Sequence, residues 1–458
     1  MRAIGLDIGT TKLAAVVVDS GAGGLLEARA VDTGAGLSGK PWESSLDAAA
    51  VAERAEGIVN ELAGRHSPIG CIGITGQMHG ILYLDAGGQA SSPLYTWRDG
   101  RGNLPYEKGL SYAEHLRGAT GHPLATGYGA VTHFYNMKNG LVPPAAKCFC
   151  AIADYVAMRL TRRTSPAVSP SSAAGIGLFD VERGVFDASA IQAAGLDAEA
   201  FPPVFAGPGI MGATDAGIPV AVAIGDNQAG FLGSVRDPEG GILLNVGTGS
   251  QISRYTERYE RRSASRIETR PHAGRGFLLV GAALCGGSAY ALLNGFFKSA
   301  ARMATGKEVP DLYDEMAACA AEGGADGGGL EVAATFSGTR EDPALRGCIR
   351  NIGMDNFTPR SLILGVLGGI ASELHDMHRE MRPAGGREPA LLVGSGNGIR
   401  RNRLLRRILS ERFAAELRVP AHREEAALGA AFFALASRGC IKRVEDAQAM
   451  IRYEGEEP

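Results

Sequence analysis

Two strand–turn–strand segments stand about one domain apart in this chain, and both turn on glycine and threonine. In the first, the apolar run Ala3 to Leu6 leads into Asp7-Ile8-Gly9-Thr10-Thr11-Lys12 and returns through Leu13 to Val18. In the second, Gly241 to Leu244 leads into Asn245-Val246-Gly247-Thr248-Gly249-Ser250 and returns through Gln251 to Tyr255. Each segment reads as a β-hairpin with a donor-rich tip. Glycine lets backbone N–H groups approach an anion, and threonine or serine adds hydroxyls, so such a tip suits phosphate. One tip of this kind is ordinary hairpin chemistry. Two in matching positions point to a duplicated domain closing on one nucleotide.

The flanking pattern repeats as well. Strands at Ala3 to Ile8, Leu13 to Asp19 and Gly24 to Asp32 precede an amphipathic helix from about Ser45 to Gly64, then a buried strand at Cys71 to Thr75. In the second half, strands at Ile242 to Asn245, Gln251 to Tyr255 and Phe277 to Ala283 precede a helix from Gly287 to Met303, with a later strand at Ala390 to Gly394. The order β-β-β-α-β, used twice, predicts an α/β chain of two ribonuclease-H-like domains of the actin-like ATPase kind. Their central cleft is a natural ligand site. The turn from Ser234 to Gly241 is the expected boundary, giving domains 1–235 and 236–458. Glu322 to Gly329 and Pro166 to Gly175 read as small-residue loops, and Glu454 to Pro458 as a frayed tail.

A chain of 458 residues exceeds one core, which agrees with two domains. Its net charge of -3, without a long block of one sign, argues against nucleic acid as a partner. No apolar run approaches the roughly 20 residues that span a bilayer, and no basic leader with a cleavable stretch opens the chain. Seven cysteines without a C-x-x-C pair read as reduced thiols. The expectation is a soluble, cytoplasmic protein without a membrane partner.

Several residues can do chemistry. Asp7, at the end of the first strand, can hold Mg²⁺ directly or through water while the loop donors hold phosphate oxygens; locally, a turn aspartate reads the same way. Lys12 adds a positive charge there. Asp226, in Gly225-Asp226-Asn227-Gln228, is delivered by an apolar strand to the domain junction, where it can take a proton from a hydroxyl attacking a γ-phosphate; a helix N-cap is the alternative. Gln77-Met78-His79-Gly80 follows a strand end, where α/β sheets present ligand groups, and offers donors and acceptors to sugar hydroxyls. Trp97-Arg98-Asp99-Gly100-Arg101 can grip a polyol or form a surface turn. Gly394-Ser395-Gly396-Asn397-Gly398 lets a flat base lie near the backbone, with Asn397 or Asn402 bonding it. Glu373, His375, Asp376, His378 and Glu380 lack metal-site spacing and read as a solvated helix face.

Taken in order, these segments resemble the FGGY family of carbohydrate kinases over essentially the full length. D-I-G-T-T-K at 7–12 and N-V-G-T-G-S-Q at 245–251 look like its phosphate loops, and G-D-N-Q-A-G at 225–230 like the segment with its catalytic aspartate. G-Q-M-H-G and W-R-D-G-R resemble ketose-binding segments, and G-S-G-N-G-I-R-R-N at 394–402 the adenosine side. The resemblance implies Asp226 as base, and Gln77, Met78, His79, Trp97, Asp99, Arg101, Asp226 and Asn227 at the sugar. It implies Thr10, Thr11, Lys12, Gly247, Thr248, Gly249, Gly394, Gly396, Asn397 and Asn402 at ATP, and Asp7 at Mg²⁺. T-W-R-D-G-R and Ser172 to Phe179 are similar to the sedoheptulokinase branch, so sedoheptulose is the expected ketose. D-xylulose is the alternative. A non-catalytic sugar sensor and a partner-remodelling ATPase are rivals from other classes. Members of the family often form homodimers.

Overall fold

A computed structural model describes residues 1–21, 24–262, 266–322, 327–339, 342, 344–382 and 389–456. The first sheet has seven strands. β1 (Arg2–Ile8), β2 (Lys12–Asp19) and β3 (Gly24–Asp32) form an antiparallel meander, and β4 (Ile69–Gly76) lies parallel to β1. Beyond β4 come β6 (Pro219–Ala221) and β5 (Ile210–Ala213), while β7 (Ile224–Gly225) pairs with the last residues of β4. Helix α1 (Ala48–Arg65) starts where Asp47 accepts the N–H of Ala50, three residues later than its periodicity predicts. It buries Val51, Ala52, Ala55, Ile58, Val59 and Leu62 against Ile4, Leu6 and Ile8, together with α2 (Ile152–Leu160).

Between β4 and β5 lies an insert with its own aromatic core, including Tyr83, Tyr112, Phe134, Tyr135, Phe149 and Phe201. It carries the Trp97 segment, Tyr128 and α3 (Pro170–Ile176) to the cleft. That short helix replaces part of the loop expected at Pro166 to Gly175: Ser169 caps it, and Pro170 suits its first turn. Helix α4 (Asp226–Ser234) ends where the expected boundary turn begins.

The second sheet repeats the first. β8 (Gly241–Val246) and β9 (Ser250–Thr256) form the hairpin, β11 (Phe277–Ala283) completes the meander, and β12 (Leu391–Ser395) lies parallel to β8 with β13 (Glu416–Arg418) beyond it. Two of its strands were not anticipated: β13, and β10 (Ile267–Pro271), at the edge beside β11. The helix covering this sheet is also not the expected one. α5 (Gly287–Thr305) buries only Ala289, Leu293 and Asn294. The core is instead closed by α6 (Pro359–Met381), capped by Thr358 and started by Pro359, which buries Ile363, Leu367, Ile370 and Leu374. This corrects the solvated reading of its last turns. His378 is fully buried, its ring 5.5 Å from that of Phe413, although Asp376 and Glu380 do face solvent. Among the described residues no three ligand-type side chains converge to hold a metal.

The chain closes with α7 (Asn397–Arg401), α8 (Arg403–Phe413) and α9 (Glu425–Ser437). α9 packs on the first sheet, although it follows the whole second sheet in sequence. Small residues allow this. A methyl group on Gly5 would lie 1.8 Å from the Ala427 carbonyl oxygen, and one on Gly73 1.9 Å from that of Ala430. α9 also crosses α4 backbone to backbone, with Gly233 against Glu425 and Gly429 against Ala229. α4 and α9 together form the layer between the two sheets, joining Ala3, Val16 and Cys71 to Leu243, Val280 and Val393. The tail is tied down at Glu456, which accepts from Arg236 and Arg418, so it is not frayed there. Residues 323–326 of the loop expected at Glu322 to Gly329, and the last two residues, lie outside the described set. All seven cysteines are free, and no described helix is long and apolar enough to cross a membrane.

Candidate active site

The site is built on three strand ends. Asp7 on β1 faces Thr75 on β4, and Thr75 faces Ile224 on β7, whose carbonyl accepts the Thr75 hydroxyl at 2.8 Å. The chain therefore leaves the sheet side by side at Gly9, Gln77 and Asp226. Alternation along β1 sends Ile4, Leu6 and Ile8 toward α1 and places Asp7 with Ala3 and Gly5, on the face covered by α9. Asp7 thus meets the N-terminal ends of α4 and α9, which carry Asp226 and Glu424-Glu425.

This setting governs the acids. Burial, then the charge of Asp226, pushes the Asp7 carboxyl up to about 7; Glu424 and Glu425 add to the rise and Lys12 opposes it. Burial pushes Asp226 up to about 6, against the Asn227 N–H that bonds its Oδ1 at 2.7 Å and the positive charge of Arg270. Lys12 bonds Glu424 at 2.7 Å, so its charge serves that ion pair. A confined set of carboxylates with so little compensation suits a divalent cation. Mg²⁺ typically binds one or two carboxylates and completes its shell with water and phosphate oxygens.

A short relay crosses the first tip. Trp97 Nε1 donates to Thr10 Oγ1 at 3.1 Å, and that hydroxyl donates to Gln77 Oε1 at 3.3 Å. Gln77 is 3% exposed, and its Nε2 has no protein partner. A buried amide donor left unsatisfied costs free energy, and a ligand oxygen would relieve that cost. Thr11 is exposed at the tip. His79 follows in the left-handed region at φ 73°, with the Gly80 N–H bonded to the Met78 carbonyl. That three-residue turn holds His79 in a strained backbone conformation. Its Nδ1 donates to the Gly175 carbonyl at 2.8 Å, and its ring lies 4.4 Å from that of Tyr128. Met78 packs where Gly175 and Gly225 have no side chain.

The Trp97 segment divides. Trp97 is 45% exposed at the mouth of the site. Asp99 and Arg101 are instead buried against each other: Arg101 Nε bonds Asp99 Oδ1 at 2.6 Å, and Asp99 Oδ2 also accepts the Ser44 N–H. The guanidinium lies 4.1 Å from the Tyr95 ring and bonds Asn136. Their polar atoms are consumed internally, so the expected sugar contact becomes a brace for the loop that presents Trp97. Asn227 is turned toward the second domain, where Nδ2 donates to Gln251 and Ser253.

The second tip is tied together by backbone hydrogen bonds. Gly247 N–H bonds the Gly249 carbonyl, while the N–H groups of Gly286 and Ser288 bond the Thr248 carbonyl and that of Gly287 the Gly247 carbonyl. Side chains on Gly286 or Gly249 would collide with carbonyls at 2.3 and 2.7 Å. Gly394 ends within β12 against Ile399, and Gly396, at φ 80°, packs against Val246 and Asn245 beside the first residue of α7, Asn397. Asn402 caps α8 by accepting the Leu405 N–H at its Oδ1, at 2.9 Å.

Between the domains lies a cavity of about 810 Å³ walled by Met78, His79 and Tyr128 on one side and Glu268, Arg270 and Ala282 on the other. Asp226 is not part of its wall, although Met78 and Arg270 beside it are. Tyr128, Glu268 and Arg270 escaped the sequence reading. A period-two alternation in Ile267-Glu268-Thr269-Arg270 was the available signal for β10.

Family models agree with this geometry. The N-terminal domain model of the FGGY family of carbohydrate kinases matches residues 2–233, and the C-terminal domain model matches residues 243–438. The chain belongs to the FGGY family. Mouse sedoheptulokinase is 27% identical over 377 residues, covering 75% of this chain and 76% of that protein. Klebsiella pneumoniae xylulose kinase is 26% identical over 295 residues, 60% of this chain and 58% of that one. Among solved structures, a gluconate kinase from Lactobacillus acidophilus superposes with a TM-score of 0.85 at 17% identity, covering 99% of this chain and 92% of its own. As an FGGY chain, the protein is a carbohydrate kinase with the actin-like ATPase fold.

Proposed function

We propose that this kinase transfers the γ-phosphoryl group of ATP to the terminal primary hydroxyl of a ketose, with sedoheptulose as substrate and sedoheptulose 7-phosphate as product. The observation that carries the reaction is the carboxylate pair Asp7 and Asp226, held at neighbouring strand ends and pushed up in pKa by burial. Asp226 takes the hydroxyl proton as its oxygen forms the bond to phosphorus and the bond to the β,γ-bridging oxygen breaks. A base whose pKa lies just below neutrality is ionised at working pH yet still basic enough to accept that proton. Asp7 would hold Mg²⁺, which when bound would supply charge neutralisation at the phosphate oxygens. Gln77 Nε2 and His79 hold the sugar, and the glycine-lined second tip cradles the phosphates. The domains proposed for these roles are 1–235 for sugar and 236–458 for nucleotide, with α9 reaching back across the boundary.

Support for sedoheptulose comes from the T-W-R-D-G-R segment and the likeness to mouse sedoheptulokinase over three-quarters of both chains. D-xylulose is the second reading, because the xylulose kinase from Klebsiella pneumoniae is almost equally identical over its shorter match. The deciding experiment measures ADP release with Mg·ATP across sedoheptulose, D-xylulose, D-ribulose, L-ribulose and glycerol, with a no-sugar control. A kcat/KM for sedoheptulose at least tenfold above the rest is expected. Preference for D-xylulose replaces the substrate, and absence of sugar-stimulated turnover removes the kinase mechanism.

A further inference from the structure

Strand β10 presents two faces. Ile267 is buried in the second core and the Thr269 hydroxyl donates to the Glu260 carbonyl, while Glu268 and Arg270 occupy the alternate positions. Arg270 is only 7% exposed. Its Nε and Nη2 both bond Glu268 Oε2, at 2.9 and 2.6 Å. Among the described residues its Nη1 makes no hydrogen bond, and Arg270 lines the cavity. Across the cavity stand Met78, His79 and Tyr128. Arg270 is also close enough to Asp226 and Tyr128 to interact with both electrostatically.

The charge balance selects the ligand. A guanidinium so buried is tolerated only when paired. With Glu268 beside it the pair is neutral, so a second anion would meet the carboxylate as well as the guanidinium. What the pair offers is a fixed donor next to a fixed acceptor, which matches two neighbouring hydroxyls, each able to accept and to donate.

We propose that Glu268 and Arg270 form a hydroxyl clamp for the sugar, contributed across the cleft by the second domain, with Arg270 Nη1 donating to a substrate oxygen close to the hydroxyl that Asp226 deprotonates. This rests on the carbohydrate kinase reading and adds to it: sugar affinity then depends on the position of the second domain. The clamp takes neutral polyols and discriminates against analogues that lack the gripped hydroxyl.

Sugar dissociation constants without nucleotide, ADP dissociation constants and kcat/KM for sugar would be measured for the full-length wild type, Arg270→Met and Arg270→Lys, using the best sugar of the panel and its singly deoxygenated analogues. Arg270→Met should weaken sugar binding and lower kcat/KM by about 10- to 100-fold, as expected for losing a hydrogen bond to a charged group, with ADP affinity within about twofold. Arg270→Lys should recover part of the loss. One deoxy analogue should be penalised by a similar factor on the wild type and hardly at all on Arg270→Met. Sugar affinity within threefold of wild type in Arg270→Met overturns the clamp, as does a deoxy penalty unchanged by the substitution. If Arg270→Met loses ADP binding too, Arg270→Lys decides: an unchanged deoxy penalty there overturns the proposal and a reduced one supports it. Wild-type turnover judges the kinase reading separately, because the binding measurements need no turnover.

Discussion

At the end of β1, the face that meets α9 carries Asp7; at the corresponding position of the second sheet, β8 carries Asn245. The backbones around them match, since each strand turns on Gly and Thr into an antiparallel partner and each has a parallel neighbour on its other side. The chemistry does not match. Asp7 is enclosed by Asp226, Glu424 and Glu425. Asn245 is exposed and abuts Gly396, and the tip after it, Gly247 to Gly249, carries no ionisable side chain. The two hairpins share a topology, and a buried carboxylate stands in only one of them. In the proposed reaction one tip serves bond-making and the other shape alone.

That asymmetry can be broken most severely at Asp226. Asp226→Asn should lower kcat by about 10²–10⁴, the usual scale for a lost general base, with sugar affinity within about twofold; near-normal turnover would mean that the charged half is not the chemical half. Next in size is the acid limb of the pH profile. Because Asp226 and Asp7 titrate near 6 and 7, kcat/KM should fall as pH drops through this window, by up to about tenfold per unit while one of them is protonated and toward about a hundredfold per unit below both values. A flat profile down to pH 5 would contradict it. In the second tip, Gly249→Val should raise the KM for ATP by about tenfold through crowding of the Ala283 carbonyl, while the sugar KM and saturated kcat hold. Equal damage to both substrates would erase the distinction between the tips.

The smallest effect is on stability. Asp7 has a folded-state pKa above its unfolded value, so the folded protein binds this proton more tightly. The associated stabilisation is present below about pH 4 and is lost as pH rises through about 7. Asp7→Asn, which makes the two tips chemically alike, should therefore raise Tm by a few degrees at pH 8 and leave it unchanged at pH 4, measured without ligands. A lower Tm at pH 8 would show that Asp7 is structurally satisfied.

Local signals carried much of this. The paired tips, the meander order, Asp7 and Asp226 at strand ends, and the Q-M-H-G turn all follow from short-range chemistry, and the structure brings them to one place. What stayed hidden depends on tertiary placement. Asp99 and Arg101 look like a gripping pair until burial shows them gripping each other. His378 sits among charged neighbours, and only the approach of Phe413 explains its burial. Arg270 belongs to an edge strand of ordinary composition, and its relevance exists only across the cleft. Asn402 has the same local sequence whether it caps a helix or reads a base.

The placement of α9 bears on how the chain is made. One face of the first sheet, lined by Ala3, Val16 and Cys71, is covered by a helix that ends at Ser437. A nascent chain that has emerged only through α4 holds a finished meander with a bare apolar face, and it stays so while some two hundred further residues are synthesised. The N-terminal half cannot mature ahead of the rest, and a fragment ending near Ser234 would be a substrate for chaperones or aggregation rather than an autonomous module. Final assembly waits for the last helix to slide its alanines and glycines against Gly5 and Gly73.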